Sequence, residues 1–280
     1  MAQPGADQRP MAGICDTHIH FYSSRYPASP DSVLFPPDVT VGDYRAVQQV
    51  LGLERVVVVQ PTTYGLDNSC QLDAMAQLGP AARGVMVVNA ATPSSELERL
   101  DRLGVRGARF HMLAGGAVGW DDLEPVAAAI EPLGWHIQLQ LNGRELADRF
   151  DRISALPVKV VVDHVGRFMP PPAGPAPLID ANFEALCRLV DHGRAWVKIS
   201  APYESSVEGP PDYGDVAALA RRLVAEFPER MLWATNWPHP GQADPPSETD
   251  LSNLLAAWIP AEHRRRILVD NPAGLYGFDR

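Results

Sequence analysis

The chain has 280 residues, 46% of them hydrophobic, and a formal net charge of −10. That balance suits one large buried core, and an acidic chain with no Lys/Arg run is a poor ligand for nucleic acid or an anionic membrane surface. No apolar run reaches the ~20 residues of a membrane span. Residues 1–12 lack the apolar core of a signal peptide and read as a disordered lead-in. Cys15, Cys70 and Cys187 form no CxxC pair, so they read as buried reduced thiols of a cytoplasmic protein.

Eight short β-rich runs follow one another at residues 14–20, 55–60, 84–88, 105–110, 135–141, 158–164, 196–200 and 231–235. Val56-Val57-Val58-Val59 and Val160-Val161-Val162 are continuous aliphatic stretches, the pattern of parallel strands covered on both faces. Helical periodicity occupies 94–103, 122–133, 182–191 and 215–227, with stops at Gly104, Gly134 and Gly193. Strand–helix alternation repeated eight times predicts a (β/α)₈ barrel spanning residues 13–280 as one domain, its active site at the C-terminal ends of the strands. An open doubly wound sheet is the runner-up, but no GxGxxG or phosphate loop accompanies an early strand. Three Pro-rich segments, 26–37, 170–177 and 238–246, each follow a strand and so should overhang the barrel mouth. Asn271-Pro272 reads as a helix start, with Asn as the cap.

Chemistry-bearing residues gather at the strand ends. Strand one closes on Asp16-Thr17-His18-Ile19-His20, and residues two apart share a strand face, so both histidines should point into the mouth. Arg109, at the end of strand four, suits a bidentate clamp on a carboxylate, with Arg167 as the second candidate. Arg106 has the opposite parity and should face outward. Lys198, inside strand seven, is in phase with Ser200 and could be buried against a carboxylate such as Asp163. Thr62, Tyr64 and Tyr203 could donate hydrogen bonds, while His111 and His239 could carry a proton near neutral pH.

These residues, in this order, resemble the amidohydrolase superfamily, in the branch of lactone-processing enzymes that includes 2-pyrone-4,6-dicarboxylate lactonases and D-galactarolactone isomerases. The resemblance runs from about residue 13 onward. Asp16-Thr17-His18-Ile19-His20, Val59-Gln60-Pro61, Gly107-Ala108-Arg109-Phe110, Asp163-His164-Val165-Gly166-Arg167, Thr235-Asn236-Trp237-Pro238-His239 and Asn271-Pro272 carry it. The superfamily's usual metal site takes two His from strand one, one each from strands five and six, and an Asp from strand eight. Here His18, His20 and His164 match. Strand five has its only histidine, His136, at the wrong end and offers Gln138 and Gln140 at the mouth, and strand eight offers Asn236. Neutral amides are poor zinc ligands. No cofactor is therefore expected, beyond a weak divalent ion at His18, His20 and His164, and the resemblance likewise implies metal-independent chemistry.

Asn236 cannot serve as a general base for water. It is native with a histidine as base, or an Asp→Asn replacement, or the mark of a catalytically silent small-molecule binder. Isomerisation suits a native Asn, because the substrate's own hydroxyl attacks the lactone carbonyl at high effective molarity and no water is activated. The expected ligand is a small anionic sugar-acid lactone. Lactone isomerisation leads, hydrolysis of a dicarboxylate lactone is the alternative, and the residues expected to act are His18, His20, His164, Asn236 and His239.

Overall fold

The structure, a computed structural model, describes residues 11–173 and 179–279. The proposed lead-in at 1–12 lies mostly outside the described residues, as does the Pro-rich segment 170–177 beyond Ala173.

Eight parallel strands pair strictly in chain order: β1 (Cys15–Ile19), β2 (Arg55–Val59), β3 (Ala82–Met86), β4 (Val105–His111), β5 (His136–Gln140), β6 (Lys159–Val162), β7 (Ala195–Ile199) and β8 (Met231–Trp233). The chain just past β8 brings the sheet back to β1. There the Asn236 amide donates to the His18 carbonyl at 3.0 Å, and the His20 amide donates to the Trp237 carbonyl at 2.9 Å. An outer layer of helices covers the strands: α1 (Val41–Leu51), α2 (Ser69–Leu78), α3 (Ser94–Arg102), α4 (Trp120–Ile130), α5 (Leu146–Ser154), α6 (Ala181–Asp191), α7 (Gly214–Glu226) and α8 (Glu248–Trp258). Two further helices, α9 (Ala261–Arg265) and α10 (Asn271–Tyr276), lead to the C-terminus. This is the TIM-barrel architecture expected from the alternation of strands and helices.

Val56 to Val59 are all fully buried because alternate side chains meet the barrel interior and the helix layer. Each helix buries one stripe, as α3 does with Leu97 and Leu100. Local chemistry sets the helix limits. Thr40 and Asp43 form a reciprocal capping box at α1, and left-handed Gly52 ends it. Asp180 caps the α6 amides of Asn182 and Phe183.

Two boundary expectations need correction. β6 ends at Val162 rather than at His164, because His164, Val165 and Arg167 adopt left-handed backbone (φ 54°, 55° and 45°) and carry the chain out of the sheet. Asn271 is not a cap. It sits inside continuous helical backbone, and its amide instead donates to the carbonyls of Pro228 and Met231 at 2.8 and 2.7 Å, tying α10 to the foot of β8.

The N-terminal end of the barrel is closed by apolar packing. Tyr276 and Phe278 join Cys15, Val57 and Leu232 there, and His136 stacks edge-on against Tyr276 with ring centroids 5.3 Å apart. Gly107, the rung partner of His136, leaves room for that ring, since a Cβ there would stand 2.6 Å from His136 Nε2. All three cysteines are free and buried. No helix among the described residues is long and apolar enough to cross a membrane.

Candidate active site

The C-terminal end of the barrel opens into a cavity of about 350 Å³. His20, Tyr22, Thr62, Arg109, His111, Gln140, His164, Arg167, Tyr203, Glu204 and Asn236 line it, with Val33 and Leu34 from the first Pro-rich loop and Pro240 to Gln242 from the last. Two of the three Pro-rich loops thus wall the mouth, as their position after strands implied.

The β4–β5 register stacks the interior in layers. Gly107 faces His136 at the floor, Arg109 faces Gln138 in the middle, and His111 faces Gln140 at the mouth. Arg106, of opposite parity, instead pairs with Asp101 at 3.1 Å, near the end of α3. In the middle layer the Lys198 ammonium is fully buried and donates to the Gln138 Oε1 at 2.6 Å, the Thr17 carbonyl at 2.8 Å and His18 Nδ1 at 3.3 Å. Asp163 lies 3.6 Å from it and accepts from Gln138 Nε2 at 3.0 Å. Burial lowers the Lys198 pKa to about 8, while Asp163 opposes the shift. Gln138 and His18 therefore lie beneath the cavity rather than in its lining.

Histidine protonation follows from the partners. His20 Nδ1 is 2.7 Å from the Val59 carbonyl, which only accepts, so Nδ1 carries the proton. Burial, then Arg109, pushes the His20 pKa down to about 3, so Nε2 keeps its lone pair. His18 Nε2, 3.1 Å away, must then be the donor to it. Burial also lowers His18 well below its usual range, and its remaining lone pair on Nδ1 faces the lysine. His164, held by Ser200 Oγ at 2.9 Å, packs on His18 with centroids 4.9 Å apart and is likewise kept neutral by burial. Asp16, two residues before His18, does not join them. A register shift between Asp16 and Ile19 leaves its carboxylate accepting from Thr235 and from Tyr44 of α1.

At the β8 side, Asn236 Nδ2 donates to Tyr203 Oη at 3.1 Å, and Tyr203 Oη is hydrogen-bonded to His239 Nδ1 at 2.8 Å. The amide nitrogen only donates, so Tyr203 Oη accepts from Asn236, and burial keeps His239 neutral, at about 4. Asn236 Oδ1 is left buried without a partner. His239 thus stands behind Tyr203 instead of lining the cavity. Asn236 and His239 hold left-handed backbone (φ 62° and 60°), as do His164 and Arg167, which places four of the seven such non-glycine residues among the described residues in or directly behind this site.

On the β4 side, Arg109 is 4% exposed and donates to the Gln60 carbonyl and to Gln140 Oε1 at 2.7 Å, while its Nε is unpartnered. The same Gln140 oxygen accepts from His111 Nδ1 at 3.2 Å, which leaves the His111 lone pair on Nε2. Arg167 is not a free second clamp, because its Nε pairs with Glu204 at 3.0 Å. Tyr64 is turned away from the cavity, and its hydroxyl bonds the backbone of Ser23. Sequence reasoning missed Tyr22, whose buried hydroxyl has no partner, although its spacing continues the alternation His18, His20, Tyr22. Ser200 shares the inward phase of Lys198, and its contact with His164 is supplied by the fold.

The described donor set does not fit a resident divalent ion. His18, Asp163 and His164 offer ligand atoms within 4.8 Å of one another, the only such group among the described residues. Yet the Lys198 ammonium already occupies the electrostatic position of a cation between His18 and Asp163. Binding a second, divalent charge there would set like charges together in a buried site.

A barrel with two strand-one histidines, a strand-six histidine and a loaded C-terminal mouth defines the class. The family model described as Amidohydrolase matches residues 15–278, and the chain belongs to the amidohydrolase family. It is 36% identical over 270 residues to a D-galactarolactone isomerase of Agrobacterium fabrum, covering 94% of this chain and 91% of the relative. It is also 36% identical to a 2-pyrone-4,6-dicarboxylate hydrolase of Comamonas testosteroni, covering 95% and 90%. A solved apo structure from Agrobacterium tumefaciens superposes with a TM-score of 0.87 at 35% identity, covering 95% of this chain and 96% of that one.

Proposed function

We propose that the protein isomerises a small lactone bearing a carboxylate, exchanging ring size through attack by the substrate's own hydroxyl and using no metal. The observation that carries the reading is Asn236. Its Nδ2 is committed to Tyr203, and its free Oδ1 is an acceptor for a substrate hydroxyl, not a base for water. The substrate carboxylate rests on Arg109, whose unpartnered Nε and fixed guanidinium plane suit it. The lactone carbonyl lies at His164, whose Nδ1 accepts from Ser200 and whose Nε2–H is then offered to the developing oxyanion.

As the hydroxyl oxygen bonds the carbonyl carbon, its proton passes to Tyr203 Oη while the Tyr203 proton moves to His239 Nδ1. Collapse breaks the original ring C–O bond, and the ring oxygen takes the proton back along the same route. Water enters no step. A galactarolactone isomerase and a pyrone dicarboxylate hydrolase are both 36% identical to the chain, so the choice of ring exchange rests on Asn236. Incubation with D-galactarolactone followed by NMR tests it: one lactone should convert to another with no rise in open-chain diacid. Release of diacid from the outset would make the enzyme a hydrolase, and no change on any lactone would leave a binder.

A further inference from the structure

Among the described residues, three charged side chains line the cavity: Arg109, Arg167 and Glu204. Two of them cancel. Arg167, in left-handed backbone just after the His164 turn, and Glu204, at the end of the short turn Pro202–Glu204 that follows β7, meet at 3.0 Å across two loops. Both side chains are largely buried, at 15% and 17% exposure, so solvent screens the pair only in part. One layer down, Lys198 and Asp163 likewise cancel. The histidines facing the mouth are neutral, by burial and by the nearby guanidinium of Arg109. One uncompensated positive charge remains, on Arg109.

We propose that Glu204 is the specificity-determining residue that restricts this cavity to lactones with a single anionic group. It occupies Arg167 and offers a second carboxylate or sulfonate a like charge in place of a clamp. This deepens the proposed lactone chemistry and rests on it. It also separates the two kinds of relative by charge. An aldaric monolactone carries one free carboxylate and matches a site of net charge +1, whereas a pyrone dicarboxylate carries two and calls for a second free cation. Electrostatic mismatch across an interface acts chiefly on which partner is accepted.

The test compares D-galactarolactone with 2-pyrone-4,6-dicarboxylate. The wild type should prefer the monoanion, in kcat/KM and in calorimetric affinity. Glu204→Gln frees Arg167 and should shift that preference toward the dianion by at least tenfold. The double variant Arg167→Gln/Glu204→Gln restores one net charge and should return the preference to the monoanion. A wild type that binds the dianion more tightly would overturn the proposal without any variant. So would a Glu204→Gln protein that loses both substrates equally. Failure of the lactone reading looks different: no lactone of either charge binds or turns over.

Discussion

His18 and His20 are joined ring nitrogen to ring nitrogen, Nε2 to Nε2, at 3.1 Å. One of the two must donate, and the Val59 carbonyl decides which, because it takes the His20 proton on Nδ1. The result is a directed chain in which Lys198 donates to His18 and His18 donates to His20. Nitrogen NMR of the imidazoles at pH 7 should show two neutral rings, His18 protonated at Nε2 and His20 at Nδ1. Either ring as an imidazolium, or His20 protonated at Nε2, would contradict the assignment.

Asn236→Asp replaces an amide tied to Tyr203 with a buried carboxylate beside neutral histidines. Such a carboxylate can take a proton from water, and its charge favours the imidazolium forms. Open-chain diacid should appear as a product, while ring exchange falls by about tenfold or more near pH 7. If diacid release rises by orders of magnitude and neither protein exchanges rings, the native reaction is not isomerisation.

Tyr203→Phe removes one hydroxyl and severs two contacts, those to Asn236 and His239. Loss of a proton-transfer group typically costs 10²–10⁴ in rate. A drop in kcat of roughly 10² with KM little changed is expected, together with a cooperative unfolding transition like that of the parent. His239→Asn should show a smaller loss, since it acts through Tyr203. A variant with unchanged kcat would show that the proton leaves by another route.

Lys198 and Asp163 sit fully buried 3.6 Å apart. Lys198→Met strands a buried carboxylate and should cost about 3–5 kcal/mol in urea unfolding. Adding Asp163→Asn should recover much of that loss. The same lysine predicts that a strong chelator leaves turnover intact and that purified protein holds far less than one zinc per chain. Metal analysis finding one tightly held ion, with turnover lost on its removal, would mean the ammonium does not fill that position.

Six of the eight histidines have lowered values: His18 and His164 well below normal, His20, His111 and His136 at about 3, and His239 at about 4. The unfolded chain binds protons on these groups near pH 6.5, where the folded chain does not. Stability is therefore fully present above pH 6.5 and falls as pH drops toward 4. Asp16, raised to about 6 by burial, opposes this with one group between pH 6 and 4. Each group contributes at most about 1.4 kcal/mol per pH unit, so the net slope should reach several kcal/mol per unit below pH 6. Urea unfolding at pH 7.5, 6 and 5 checks it, and a flat profile would mean these rings are not held neutral.

Local pattern was enough for the barrel. Continuous aliphatic runs, helical stripes of period 3.6 and glycine stops are short-range signals, and their alternation along the chain favours a closed barrel over an open sheet. That His20, His164, Asn236 and Arg109 would meet at one cavity was legible for a similar reason, since strand ends in such a barrel all face one mouth. What each residue touches was not legible, because the partners come from distant parts of the chain and are chosen by packing. Arg167 meets Glu204 across 37 positions, and Tyr203 meets His239 across 36. Strand parity alone would have kept Asp16 with His18, but a register shift in β1 turns it toward α1. Charge and protonation are set at the same level. A guanidinium is a clamp or a spent charge according to its neighbour, and a histidine is donor or acceptor according to one carbonyl, and only the folded chain supplies either.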